Sequence, residues 1–136
     1  MASLAVDRVL VAGRARGPAL VLDQSLSFWG GLDAETGLIV DQRHPQVGRS
    51  VTGTVLVMWT GRGSSSAASV LAEAIRAGTA PLALVMQQPD EIIVLGAIIA
   101  EEMYGITMPM VLVSAETLNG ITTGQTIEID EAAKPE

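Results

Sequence analysis

Cysteine is absent from this chain of 136 residues, and histidine occurs only once. Without thiols the chain cannot supply cysteine ligands to an iron–sulfur cluster or a zinc site. It also cannot form a Cys–His nucleophilic pair. A Ser–His–Asp triad would have to use His44, which lies in a polar segment before a proline. We expect that lone imidazole to be solvated rather than catalytic.

Basic and aromatic side chains are also scarce. The chain has 8 Lys and Arg against 15 Asp and Glu, which gives a formal net charge of −7. A nucleic-acid partner is not expected, because no basic stripe is present to neutralise phosphates. Aromatics make up 3% of residues, whereas hydrophobic residues make up 49%. The core is therefore predicted to consist of Val, Leu, Ile, Ala and Met.

Long apolar runs are missing as well. The runs at 82–86 and 92–95 are far shorter than the roughly 20 apolar residues of a membrane span, and they are typical of strands buried on both faces. Asp7 and Arg8 interrupt the first apolar stretch, so no signal peptide is expected. We expect a soluble cytoplasmic protein with no membrane contact. Its length predicts one domain over 1–136, with a frayed acidic tail over 130–136.

The chain divides into a β-rich first half and an alternating second half. Strands are predicted at 4–12, 19–22, 37–40 and 51–58. The second half predicts, in order, a helix at 67–77, a strand at 82–86, a short strand at 92–95, a helix at 96–103, and strands at 110–113 and 126–129. Alternating strands and helices indicate parallel pairing with crossover helices. We predict a mixed α/β fold, a layered β/β/α domain.

The most informative motif is Gly61-Arg-Gly-Ser-Ser-Ser66, between a predicted strand and a predicted helix. Its glycines allow a sharp turn and a close approach to a ligand, and the unpaired N–H groups of a helix N-terminus favour a carboxylate or phosphate. Arg62 adds a charged fork suited to either anion. The motif is not a Walker P-loop, because no Lys follows the second glycine. An ordinary helix cap is the structural alternative, although a cap needs only one hydroxyl.

A second unusual segment, Ser27-Phe-Trp-Gly-Gly31, allows two interpretations. It is either a tight turn whose aromatics fold onto the core, or a loop whose backbone meets a ligand or partner. An exposed patch of Phe28, Trp29 and Trp59 would fit an oligomer surface or a docking surface. The carboxylates at 33, 35 and 41 lack the spacing of a metal-binding loop, so no metal site is predicted.

Several motifs together are more specific than the Gly-Ser loop alone. In chain order they are Gly17-Pro-Ala-Leu20, Ser27-Phe-Trp-Gly-Gly31, Asp33, Thr36-Gly37, His44-Pro45, Gly61-Arg-Gly-Ser-Ser-Ser66, Val70-Leu-Ala-Glu-Ala-Ile-Arg76, Gly78-Thr-Ala-Pro81 and Gly96-Ala-Ile-Ile-Ala-Glu-Glu102. Their order and spacing resemble the small subunit, or swivel domain, of the aconitase X family. The resemblance covers nearly the whole chain, from about Val9 to Ser114.

This resemblance implies a hydro-lyase with a divided active site. It implies a large subunit that carries an iron–sulfur cluster, and a small subunit with the swivelling β/β/α fold that closes over the cleft. The expected partners are the large subunit, in a heterodimer or higher assembly, and a small anionic substrate, with no cofactor on this chain. Archaeal members dehydrate mevalonate 5-phosphate, and bacterial members include cis-3-hydroxy-L-proline dehydratases. The absence of cysteine fits this division of labour.

The resemblance also implies roles for the loop residues. Ser64 is expected to accept the substrate proton, with Ser65 as the second choice, and a helix N-terminus and a guanidinium could stabilise its oxyanion. The expected substrate-binding residues are Arg62 as the anion clamp, Gly63, Ser65 and Ser66. The expected contacts to the partner or the cleft are Phe28, Trp29, Gly30, Gly31 and His44.

Two positions depart from the family pattern. Trp59 stands where the family often has proline, which could reshape the mouth of the pocket or the subunit contact. The archaeal form usually has Gly-Lys-Gly-Ser-Thr where this chain has Arg62 and Ser65, and the helix sequence Val70-Leu-Ala-Glu-Ala-Ile-Arg76 resembles bacterial members. These last two features favour a small hydroxy acid such as a hydroxyproline over a phosphorylated isoprenoid precursor. A non-catalytic anion-binding module and a purely structural oligomer surface remain the alternatives from other functional classes.

Overall fold

Six strands and four helices follow one another in the computed structural model, which describes residues 4–61 and 66–131. The strands are β1 (Arg8–Val11), β2 (Gly13–Val21), β3 (Val55–Val57), β4 (Ala83–Met86), β5 (Met110–Leu112) and β6 (Thr126–Glu131). The helices are α1 (Phe28–Gly31), α2 (Ala67–Ala77), α3 (Glu91–Tyr104) and α4 (Ala115–Asn119). Of these, α1 is a single distorted turn.

The strands form one mixed sheet in the order β1-β5-β4-β3-β2-β6. The four central strands β2, β3, β4 and β5 are parallel, and α2 and α3 are the crossovers between them, as the alternating pattern predicted. The edge strands β1 and β6 pair antiparallel with β5 and β2. This curled half-barrel with helices confirms the mixed α/β prediction.

Both faces of the sheet are covered by aliphatic side chains. Because side chains alternate along a strand, Val55 and Val57 of β3 point to one face and Leu56 to the other. The Leu56 face packs against α1, α2 and α3, with Leu71 and Ile93 fully or almost fully buried. The opposite face packs against α4 and the segment around Ile121. The aliphatic core agrees with the composition.

The strand predicted at 92–95 is wrong, because these residues form the first turns of α3. Asp90 precedes the helix, and its Oδ1 accepts hydrogen bonds from the backbone N–H groups of Ile92 at 3.0 Å and Ile93 at 3.3 Å. Such a side-chain cap starts a helix. A short apolar run is ambiguous between strand and helix, and Asp90-Glu91 after Pro89 was the signal that separates them.

Two other predicted elements differ from the structure. The segment 37–40 forms only isolated bridges, Leu32 with Ile39 and Leu38 with Ser50. At the other end, β6 includes Asp130 and Glu131, which pair with Arg14 and Gly13. The fraying predicted from 130 onward is therefore wrong for these two residues, and 132–136 lie outside the described residues.

The crossover helices pack closely on each other. The predicted bounds of α2 are correct, and Gly78 ends it in the left-handed conformation with φ 79°. A Cβ at Gly96 of α3 would lie 2.8 Å from the carbonyl oxygen of Ala68 in α2. On the solvent side of α2, the guanidinium of Arg76 donates to Glu73 and holds the pKa of that carboxyl below its ordinary value. Among the described helices, none has the length and apolar character needed to cross a membrane.

Candidate functional site

The Gly-Ser loop connects the carboxyl end of β3 to the N-terminus of α2. Gly61 is its last described residue on the strand side, and Ser66 is the residue directly before α2. The predicted site residues Arg62, Gly63, Ser64 and Ser65 lie outside the described residues. In open parallel α/β sheets, ligands bind at the carboxyl ends of the strands. The described flanks belong to that edge of the sheet, where we predicted the anion site.

Backbone hydrogen bonds hold the strand-side flank of the loop. The carbonyl of Trp59 accepts the N–H groups of Gln87 at 2.9 Å and Gln88 at 3.0 Å. The N–H of Met58 donates to the carbonyl of Val85 at 3.0 Å. These bonds extend the pairing of β3 with β4 by two residues beyond the end of β3. The backbone position at which the loop begins is therefore held by the sheet.

Gly61 packs against the start of α3. A Cβ at Gly61 would collide with the carboxylate of Asp90 and with Cδ1 of Ile93. Since Asp90 caps α3, the loop that leads to α2 also touches the N-terminal end of α3. A larger residue at this position would have to displace the ends of these two side chains, which favours glycine for a reason besides the backbone freedom invoked from the sequence.

Gln87 is a candidate residue that sequence reasoning missed. It follows β4 directly, at the same edge of the sheet as the loop. Its Oε1 is buried and has no hydrogen-bond partner among the residues that the structure describes. A buried amide oxygen without a donor is unfavourable by about 1–3 kcal/mol, which makes it a group available to a bound donor. The signal in the sequence was the polar run at 87–90 directly after a buried strand.

His44 is buried, with 4% of its surface exposed, so the expectation of a solvated imidazole is wrong. Its Nδ1 accepts the N–H of Gln46 at 3.0 Å, which leaves the proton on Nε2, 2.8 Å from the carbonyl oxygen of Gln24. Both ring nitrogens are therefore occupied by the backbone. The side chain offers no surface to a partner or a cleft, and its place is a structural one.

The segment 27–31 combines both interpretations made from its sequence. Phe28 is fully buried and belongs to the core beneath α1, whereas Trp29 is 57% exposed. Gly30 has φ 79°, and Gly31 is buried against the side chain of Leu26. The burial of Phe28 and Gly31 leaves Trp29 and Gly30 as the positions where a partner contact stays a prediction.

Residues 5–135 match the protein-family model described as "Aconitase X swivel domain". The chain belongs to the aconitase X swivel domain family. A chain of Thermococcus kodakaraensis aconitase X, crystallised in its holo-form, superposes with a TM-score of 0.84 at 31% identity, and the match covers 96% of this chain and 92% of that one. The likeness confirms the predicted swivel fold.

Two curated relatives of this swivel domain differ in size. It is 47% identical over 109 residues to the cis-3-hydroxy-L-proline dehydratase of Pseudomonas aeruginosa, which covers 80% of this chain and 19% of that protein. It is 40% identical over 124 residues to the phosphomevalonate dehydratase small subunit of Methanothermobacter thermautotrophicus, covering 90% of each. The swivel domain thus spans about a fifth of the first relative and most of the second.

Metal ligands are not grouped in the described part of the swivel domain. Across 4–61 and 66–131, no cluster of three or more His, Asp or Glu side chains could hold a metal ion. The carboxylates of Asp33 and Asp41 accept backbone N–H groups at 2.8 and 2.9 Å in their own turns. With no cysteine in the sequence, the residues of this chain do not fit an iron–sulfur cluster as its ligands.

Proposed function

We propose that this swivel domain is the small subunit of a cytoplasmic dehydratase that removes water from a small hydroxy acid. The favoured substrate is cis-3-hydroxy-L-proline. The observation that carries the proposal is the 47% identity to the Pseudomonas aeruginosa enzyme of that name over four-fifths of this chain. The Gly-Ser loop at the carboxyl edge of the sheet, between β3 and α2, supplies the candidate chemistry.

In the proposed reaction, Ser64 takes the α-proton of the substrate and hydroxide leaves from the neighbouring carbon. One C–H and one C–O bond break, a C=C bond forms, and water is the second product. Arg62 binds the carboxylate, while Gly63, Ser65 and Ser66 contribute hydrogen-bond donors near a helix N-terminus. The large subunit is proposed to carry the iron–sulfur cluster and the groups that receive the hydroxide, which makes the small subunit inactive alone.

The test is a turnover assay of the complex purified anaerobically with its large subunit. We expect dehydration of cis-3-hydroxy-L-proline, and a fall in kcat of about a thousandfold for Ser64→Ala with assembly unchanged. Ser69→Ala is the matched control, because Ser69 lies exposed on the next turn of α2. Near-normal turnover of Ser64→Ala would reject it as the base and direct the same test to Ser65→Ala.

A phosphorylated substrate is the second candidate. It is favoured by the 40% identity to the Methanothermobacter thermautotrophicus small subunit, which matches along 90% of both chains. Turnover of mevalonate 5-phosphate, with none of cis-3-hydroxy-L-proline, would select it. Binding of citrate or inorganic phosphate by the isolated chain, with no turnover by any complex, would instead support a non-catalytic anion-binding module.

A further inference from the structure

Helix α3 is apolar on the side that faces solvent as well as on the side that faces the core. Its inner residues Ile93, Ala97 and Ala100 are buried, yet Leu95 and Ile98 on the outer side are 49% and 45% exposed. A surface helix normally carries polar residues on its outer side, and a helix apolar all round is typical of a buried element. No described element of this chain covers the outer side.

The neighbouring crossover helix provides the contrast within the same fold. At the positions of α2 that face solvent, Ser69, Glu73 and Arg76 are exposed and polar. At the same spacing on α3 stand Glu91, Leu95 and Ile98, so two large aliphatic side chains occupy positions that are charged in α2. The difference is therefore a property of α3 and not of the layer to which both helices belong.

The exposed residues of α3 form one continuous surface with the edge of the sheet. Glu91, Leu95, Ile98 and Glu102 lie on one stripe of the helix, at spacings of four, three and four residues. Beside them, Val9 of the edge strand β1 is 37% exposed, and a groove of about 350 Å³ runs between strand and helix, with the exposed Arg8 as the basic residue of its lining. We call this surface, made of Val9, Glu91, Leu95, Ile98 and Glu102, the α3 face.

The charges at its two ends argue against a second copy of this chain. If two α3 faces packed antiparallel, Glu91 of each would meet Glu102 of the other, and parallel packing would place like residues together. Neither carboxylate takes part in the ion pairs of the described residues, which are Arg14–Asp130 and Arg76–Glu73. Each copy also carries a net charge of −7, so self-association would bring like charges together.

We infer that the α3 face is the surface on which the large subunit docks, an assignment that rests on the proposed function. This assignment predicts that the docking surface of the large subunit has an apolar patch flanked by two basic side chains. These should lie about 16 Å apart, because eleven residues separate Glu91 from Glu102 along the helix. The α3 face begins at Glu91, directly after Asp90, which touches Gly61 of the loop. A subunit seated there would therefore lie next to the candidate active site.

The size of the relatives supports this occupant. In the Pseudomonas aeruginosa enzyme the segment similar to this chain is 19% of the protein, so four-fifths of that polypeptide lies outside it. A large body of protein is thus available there to cover the apolar side of α3.

The test measures binding of the full chain to the large subunit of its own organism by calorimetry and size-exclusion chromatography. We expect the double variant Leu95→Gln with Ile98→Gln to weaken binding at least a hundredfold. The matched control is Met103→Gln, which changes an apolar side chain on the same helix that is 66% exposed but points about 80° away from Leu95. A second variant, Glu91→Gln with Glu102→Gln, should weaken binding about tenfold without touching apolar packing.

Three results would overturn the inference. If the wild-type chain binds its large subunit and both double variants bind equally well, the α3 face is not the docking surface, and the proposed function stands. If the isolated chain is a dimer that Leu95→Gln with Ile98→Gln converts to a monomer, a second copy is the occupant. If the wild-type chain shows no binding to the large subunit, the proposed function fails together with the inference.

Discussion

At the scale of single residues, the side chain of His44 holds the connection that follows β2. Its ring nitrogens form hydrogen bonds with the backbone carbonyl of Gln24 and the backbone N–H of Gln46. The side-chain amide of Gln46 in turn donates to the carbonyl of Val21 at 3.0 Å and accepts the N–H of Asp23 at 3.3 Å. One buried imidazole and one amide thereby fix the path of the chain from the end of β2 toward Phe28.

We expect His44→Phe to keep the bulk of the side chain but to leave the carbonyl of Gln24 and the N–H of Gln46 without partners. These two polar groups are only partly shielded from water, so losing their hydrogen bonds should lower the free energy of unfolding by about 1–3 kcal/mol in total. Urea denaturation followed by circular dichroism measures the loss, with the exposed neighbour Arg43→Ala as control. A catalytic imidazole would give the opposite result, with unchanged stability and lost turnover.

Gln87 illustrates which residues of the site remain hidden in the sequence. The polar run after β4 is visible in the sequence, but the burial of its amide oxygen is not. That burial follows from the pairing of Gln87 with Trp59, 28 residues earlier in the chain. The same is true of Gly61, whose contact with Asp90 joins two loops that are distant in sequence. Residue types at a site can be predicted, whereas contacts between distant segments need the fold.

At the scale of elements, predictions were correct where a local signal marked both ends. Helix α2 has serines before it and Gly78 after it, and its predicted and observed bounds agree. The segment 92–95 contains only apolar residues that suit either element, so the cap at Asp90 and packing against α2 decide for a helix. The segment 37–40 has the composition of a strand, but in the described structure it forms isolated bridges and loop hydrogen bonds and joins no sheet.

The crossing of α2 and α3 gives a prediction at this scale. In Gly96→Ala the new methyl group would lie 2.8 Å from the carbonyl oxygen and 3.1 Å from Cα of Ala68. Backbone atoms cannot rotate away, so the helices must separate, and we expect a net loss of about 1–3 kcal/mol although alanine favours helix. Turnover of the complex should also fall, because α2 follows the Gly-Ser loop.

The control for this variant is Gly120→Ala, at the end of α4. There φ is −84° and the nearest atom to a new Cβ is 3.5 Å away, so thermal denaturation should show no loss of stability. A wild-type melting temperature for Gly96→Ala would mean that the two helices are less tightly packed than in this structure.

At the scale of the whole molecule, the sheet joins two hydrophobic clusters that do not depend on a cofactor on this chain. Strands β3, β4 and β5 place alternate side chains in both clusters, so neither face can lose its packing without disturbing the other. This arrangement predicts that the isolated chain folds alone and unfolds in one cooperative transition.

Leu71→Ala removes packing on the α2 face of the sheet, and Ile127→Val does so on the opposite face. We expect losses of about 2–5 and 0.5–1.5 kcal/mol, since both side chains are almost completely buried. Because the sites share no cluster, the double variant should lose the sum to within about 0.5 kcal/mol, with a single transition in urea by circular dichroism and by fluorescence. Two separate transitions in either single variant would mean that the faces of the sheet unfold independently. In that case the docking of a large subunit on α3 would stabilise only the face to which α3 belongs.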